Sequence, residues 1–149
     1  YLRSLKDVAA IPGRIVKFKG NVKASGAPEF GASSHLARIL LKVTDYDPEV
    51  RSIMNIKYAP EVVEASERLG LTVSFFDRGE EPRELKEVEG GTLPWGIEQA
   101  IRRAGKVPDI IYDKGDVGKE PMIRVFGKDA VDVSRKVIEI ANELGKKKT

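Results

Sequence analysis

Gly26-Ala-Pro-Glu-Phe-Gly-Ala-Ser-Ser-His35, running on as Leu36-Ala-Arg-Ile-Leu-Leu-Lys-Val-Thr-Asp45, is the stretch around which the rest of the chain is organised. It reads as a glycine-rich loop that delivers Ser33, Ser34 and the only histidine of the sequence into the first turn of an amphipathic helix. Leu36, Ile39, Leu40 and Val43 recur at helical spacing and face inward, while Arg38 and Lys42 point away. The first turn of a helix offers free backbone N–H groups and the positive end of the helix dipole, so this entry suits an anion. Ser33 or Ser34 would cap the helix, and His35 would stand on the flank of its apolar stripe, beside the ligand. The same residues also fit a plain cap followed by a polar helix position, and the local pattern leaves both open.

Upstream, Leu2 to Ala10 is a short helical or irregular lead-in that Ile11-Pro12-Gly13 closes as a turn. Arg14 to Ala24 then reads as strand, with Val16, Phe18 and Val22 on one face, Lys17, Lys19 and Lys23 on the other, and Gly20-Asn21 as a bulge or hairpin turn. Downstream, Asp47-Pro48-Glu49 is a turn and Ser52 to Tyr58 a strand. Pro60 to Leu69 is a helix with proline in its first turn and Gly70 as its stop. Leu71 to Phe76 is a short apolar strand that ends at Asp77-Arg78-Gly79, and Glu80 to Glu89 is a charged surface segment with some helix. Gly90-Gly91-Thr92 opens a second helix, Leu93 to Ala104, with Thr92 as its cap. Asp109 to Tyr112 and Met122 to Phe126 are strands on either side of a loop, and Ala130 to Leu144 is a last helix, capped by Asp129 and stopped by Gly145. Helices alternating with short apolar strands describe a layered α/β domain.

The chain has 149 residues, enough for one sizeable core, so 1–149 is read as a single domain. There are no cysteines and one histidine, which excludes disulfides, thiolate catalysis and any Cys-based or multi-His metal site. No apolar run approaches a membrane span. The net charge of +3 is mild and partly sits in Lys146-Lys147-Lys148, and the ten aromatics do not interleave with basic clusters. A nucleic-acid surface is therefore not expected, nor a membrane partner, and small phosphorylated molecules suit the balance better. A composition rich in Lys, Glu and Arg and poor in Met and Gln has a thermophilic cast.

Three glycine-rich segments carry the candidate chemistry: Gly26 to Ser34, Gly90 to Gly96, and Gly115 to Lys119. Two open helices, and the third supplies a lysine as a point charge. Gly31, Ser33, Ser34, Gly91, Thr92, Gly118 and Lys119 are accordingly the candidate phosphate ligands. Gly115-Asp-Val-Gly118-Lys119 lacks the glycine spacing and the Ser/Thr of a P-loop, so no single loop is a nucleotide fingerprint. Asp77, Asp113, Asp116 and Glu120 stand at or beyond strand ends, where Asp113 and Asp116 could share an Mg²⁺ with substrate phosphate, or serve only as solvated loop acids. No organic cofactor is called for. With no nucleophile pattern available, what remains is electrostatic catalysis by Arg14, His35 and loop amides on a phosphorylated leaving group.

Six ordered motifs give the chain a resemblance. Val8-Ala-Ala-Ile-Pro-Gly-Arg-Ile-Val16, Pro28 to His35, Met54-Asn-Ile-Lys-Tyr58, Gly91-Thr-Leu-Pro-Trp-Gly96, Pro108-Asp-Ile-Ile-Tyr-Asp113 and Gly118-Lys-Glu-Pro-Met-Ile-Arg124 resemble those of the ThiN-type thiamine-phosphate synthase domain, over nearly the whole chain. The resemblance implies a cytoplasmic enzyme that joins hydroxymethylpyrimidine diphosphate to hydroxyethylthiazole phosphate, releasing pyrophosphate. It implies that Arg14 and His35 are the essential pair. It also implies an α/β fold of three layers, α/β/α, with a mixed, largely antiparallel sheet, like the class II aldolases and the C-terminal domain of hydroxymethylpyrimidine kinases. The multi-His metal site of those aldolases is not reproducible with one histidine. The domain commonly follows a phosphomethylpyrimidine kinase in one polypeptide, so a covalently fused kinase is expected before Tyr1, and a homodimer is allowed. The competing reading is the thiamine-phosphate sensor of a transcription regulator, in which the Arg and His pair tends to be lost.

Overall fold

The computed structural model describes residues 2–87 and 92–146. The lead-in is a 3-10 turn at Leu5–Asp7, closed by a reciprocal cap in which Ser4 and Asp7 each accept the other's backbone N–H. Four short strands follow: Ala9–Ala10 (β1), Ile15–Phe18 (β2), Asn21–Ala24 (β3) and Glu29–Phe30 (β4). β1 pairs antiparallel with β4, and the β2–β3 hairpin is inserted between them. The glycine-rich loop therefore contains a strand that its composition did not announce.

The hairpin corrects the expected faces. Lys19 (φ +50°) and Gly20 (φ +81°) occupy the two positive-φ positions of a two-residue turn, so of the expected bulge or hairpin the hairpin forms, its turn one residue earlier than Gly20-Asn21. Residues paired across an antiparallel ladder share a face, and the register sets Val16 opposite Lys23 and Lys17 opposite Val22. Val22 thus lies on the Lys17 side, away from Val16 and Phe18. None of these apolar side chains is buried: Ile15, Val16, Phe18 and Val22 are 43–81% exposed.

His35–Tyr46 (α1) buries Ala37, Ile39, Leu40 and Val43, close to the expected stripe, with Leu36 half-buried at its edge. Then come Ser52–Lys57 (β5), Pro60–Arg68 (α2), Val73–Phe75 (β6), a 3-10 turn at Arg78–Glu80 and the short helix Arg83–Lys86 (α3). Thr92–Ala104 (α4), Ile110–Asp113 (β7), Met122–Gly127 (β8) and Ala130–Lys146 (α5) complete the chain. Gly70 and Gly105 end α2 and α4 in the left-handed conformation, at φ +79° and +76°. Gly145 does not stop α5, which continues to Lys146. Asp129 caps that helix as expected, accepting the Asp132 N–H at 2.7 Å.

The last four strands make one mixed sheet in the order β5-β8-β7-β6, antiparallel except for the parallel pair β6–β7. Parallel neighbours need a crossover, and α4 supplies it. Side-chain alternation then sorts the core into two faces. Ile111 and Phe126 point with Phe76 towards Ile39 and Val43 of α1 and Ile97, Ala100 and Ile101 of α4. Ile110, Ile123 and Val125 point the other way, towards Ala65 and Val62 of α2 and Ile140 and Val137 of α5. Each fully buried Ile or Phe contributes about 1.5–3 kcal/mol relative to exposure, and the hairpin forgoes that gain.

Candidate functional site

The two glycine-led helices α1 and α4 lie side by side and run in the same direction. Glu98 of α4 accepts the Tyr46 hydroxyl at 2.7 Å and pairs with Lys42 at 3.1 Å, while one turn earlier Pro94 sits beside Arg38, Leu41 and Lys42. The α1 and α4 N-termini therefore open at the same end of the layer. Strands β6 and β7 finish at that end too, since α4 is the crossover between them. Ligands of α/β sheets characteristically bind outside the carboxyl ends of such strands.

His35 is the first residue of α1 and is exposed. Ser34 occupies the N-cap position with helical φ/ψ (−98°, −42°) and makes no side-chain cap, so the expected serine cap is not formed there; its carbonyl accepts Arg38 N–H at 3.1 Å. Ser33 is half-buried, and Gly31 turns the loop at φ +75°, with its N–H bonded to the Val8 carbonyl at 3.0 Å. Arg14 is exposed at the base of the hairpin, where Ser25 clamps its backbone: the Ser25 hydroxyl donates to the Arg14 carbonyl, which also accepts Ser25 N–H at 3.1 Å. The β1–β4 ladder sends Arg14 and His35 out at opposite ends, beyond Ala10 and Phe30 respectively. No hydrogen bond joins the two among the described residues.

Thr92 is the first residue of α4 rather than its cap, and its hydroxyl donates to Glu81 Oε1 at 2.6 Å. Gly91 lies outside the described residues. Gly118 (φ +71°) and Lys119 belong to a tight reversal in which Asp116 and Lys119 exchange backbone hydrogen bonds of 3.1 and 2.9 Å. Gly115 (φ +78°) seats that reversal, because a Cβ there would lie 2.4 Å from the Lys119 carbonyl oxygen.

The structure gives the two acids of the expected metal pair different surroundings. Asp113 is fully buried, with Arg78 Nε on Oδ1 at 2.8 Å, Arg124 on Oδ2 at 2.7 Å and the Gly115 N–H on Oδ1 at 2.8 Å. Its lone pairs are committed to two guanidinium groups and a backbone donor. Asp116 is exposed, and its Oδ1 accepts Val117 N–H at 2.8 Å. Asp77 caps the 3-10 turn through Gly79 N–H at 2.8 Å, and Glu120 is exposed. Among the described residues no three His, Asp or Glu side chains converge on a metal position.

The arginines are what sequence reading overlooked. Arg78 and Arg124 are nine-tenths or more buried, and both guanidinium groups approach the Phe76 ring, at 5.9 and 5.4 Å from its centroid. Burial pulls the Arg124 guanidinium below its usual pKa, against the Asp113 carboxylate, which raises it. The signal was present: Arg78 follows the β6 strand end, and Arg124 is the single charge inside an apolar strand.

The family model described as thiamine-phosphate synthase ThiN matches residues 1–139. Thiamine-phosphate synthase ThiN of Methanothermobacter thermautotrophicus is 45% identical over 135 residues, covering 91% of this chain and 71% of that protein. The bifunctional thiamine biosynthesis protein ThiDN of Methanocaldococcus jannaschii is 47% identical over 136 residues, covering 91% of this chain but only 31% of that protein. Among solved structures, the C-terminal domain of a phosphomethylpyrimidine kinase superposes with a TM-score of 0.86 at 53% identity, over 93% of this chain and 77% of that one.

Proposed function

The chain belongs to the thiamine-phosphate synthase ThiN family, and on that premise we propose that it condenses hydroxymethylpyrimidine diphosphate with hydroxyethylthiazole phosphate. The observation that carries this reading is the family match over residues 1–139. The thiazole nitrogen attacks the pyrimidine methylene carbon, the C–O bond to the diphosphate breaks, and pyrophosphate leaves with the electron pair. Nothing in the comparisons favours the regulator alternative.

Charge builds on the departing diphosphate, and the chain answers it with preorganised positive groups. Arg14 would stabilise that charge. His35, at a helix N-terminus suited to an anion, would donate a hydrogen bond or a proton to the leaving oxygen. The donor set does not fit an Mg²⁺ held by the protein, because Asp113 is taken by arginines. Magnesium in this reading accompanies the substrate phosphates.

The finer features of the reading are a three-layer, class II aldolase-like arrangement, a cytoplasmic setting and a fused kinase like the phosphomethylpyrimidine kinase whose C-terminal domain this chain resembles. Self-association is a further feature of the reading, and sedimentation of the purified chain reads it. The deciding experiment incubates the purified chain with both substrates and Mg²⁺ and measures thiamine phosphate. Product that disappears in Arg14→Ala and in His35→Ala supports the reading. Unchanged turnover in both folded variants refutes the two assignments, and absence of product from the unaltered chain refutes the function.

A further inference from the structure

A carboxylate that neutralises one guanidinium is a closed unit, but Asp113 serves two. Its partners Arg78 and Arg124 are side chains only 9% and 4% exposed, so the trio buries more positive charge than negative. Charge of that kind is a poor way to stabilise a core, since apolar residues of similar volume often do as well. Its position is informative. The Phe76 ring beneath both guanidinium groups packs edge-on against Trp95, at 6.4 Å between centroids, and fills the space over Gly96, where a Cβ would lie 2.5 Å away. Both arginines therefore sit beneath the first turns of α4, at the carboxyl ends of β6 and β7. Glu81, the next buried carboxylate, accepts the Thr92 hydroxyl and pairs with neither arginine among the described residues.

We propose that Arg78 binds the diphosphate group, held in place by Asp113, which Arg124 shares. The choice of diphosphate rests on the proposed reaction; the anion preference rests on the buried charge. Among the described residues the hydrogen bonds of Arg78 use Nε alone, leaving its two terminal NH₂ groups to fork onto phosphate oxygens. Asp113 is a positioning residue that fixes the fork, and Arg124 supplies the second positive charge from the adjacent strand.

The test is calorimetric titration of the purified chain with inorganic pyrophosphate, alongside NMR of the Arg78 Nε–H group in the unaltered chain. Arg78→Met should bind pyrophosphate at least tenfold more weakly, and saturating pyrophosphate should shift the Arg78 Nε–H resonance. Asp113→Asn should move that resonance without ligand and weaken binding as well. Equal affinity in Arg78→Met overturns the proposal, as does a resonance that pyrophosphate leaves in place, a readout that requires no variant to fold. Absence of pyrophosphate binding to the unaltered chain also overturns it. Turnover separates this from the function itself. A chain that makes no thiamine phosphate yet loses pyrophosphate with Arg78 keeps the anion site and loses the reaction. Turnover with Arg78→Met binding unimpaired does the reverse.

Discussion

His35 is exposed at the first residue of α1 and has no described partner whose loss would unsettle the helix, so its removal separates activity from stability. His35→Ala should lower turnover by roughly 10²–10⁴-fold, the range for a positioned acid or base, while thermal unfolding stays where it was. Asp113 is the opposite case. Asp113→Ala strands two buried guanidinium groups and should cost about 3–5 kcal/mol, read as a fall in the denaturation midpoint. Gly96→Ala should also destabilise severely, because its Cβ would meet the Phe76 ring at 2.5 Å and neither the helix nor that ring has room to yield. Legibility at this scale was uneven. The candidacy of His35 and Arg14 followed from their motifs, whereas Asp113 looks from sequence like any acid at a strand end. Its partners stand 35 and 11 residues away, and no local pattern encodes such a meeting.

Among elements, the start of the β6–β7 pair is tied to α5 through Asp109. Its carboxylate accepts the Thr72 N–H at 2.9 Å and the Thr72 hydroxyl at 3.1 Å, and pairs with Lys136 at 2.9 Å; Lys136 also donates to the Phe126 carbonyl at 2.7 Å. Burial pushes the Asp109 pKa up, but the Thr72 and Lys136 hydrogen bonds and the Lys136 charge outweigh it and hold the value below the ordinary aspartate range. The sign follows. A depressed folded-state pKa gives stability that is present above the unfolded value, about 3.9, and lost as pH falls through the lower folded value. Acid unfolding followed by circular dichroism should therefore show a weaker pH dependence in Asp109→Asn, together with lower stability near neutral pH. Most elements were visible in the sequence because glycine stops and apolar periodicity are local. The exceptions are instructive. α5 runs through Gly145 because an unstrained glycine permits termination without compelling it, and Val22 changed face because register, not alternation along one strand, decides which side chains share a surface.

For the molecule as a whole, one buried cluster joins α1 and α4 to the sheet and another joins α2 and α5 to it, and the β2–β3 hairpin adds nothing to either. Replacing Lys17–Val22 with a short turn should leave unfolding cooperative and shift stability by less than about 1 kcal/mol, measured by urea denaturation. By itself the sequence determined the α/β class, the ends of most helices and strands, the absence of cysteine chemistry and the family motifs. Each of these is written in neighbouring residues, through backbone propensity, periodicity and residue type. Only the tertiary structure decided the strand order β5-β8-β7-β6, the departure of Arg14 and His35 from opposite ends of one ladder, and the burial of Asp113 between two arginines. Those outcomes depend on which distant side chains share one low-dielectric interior, where a charge must find its partner and a residue's local pattern no longer says which partner that is.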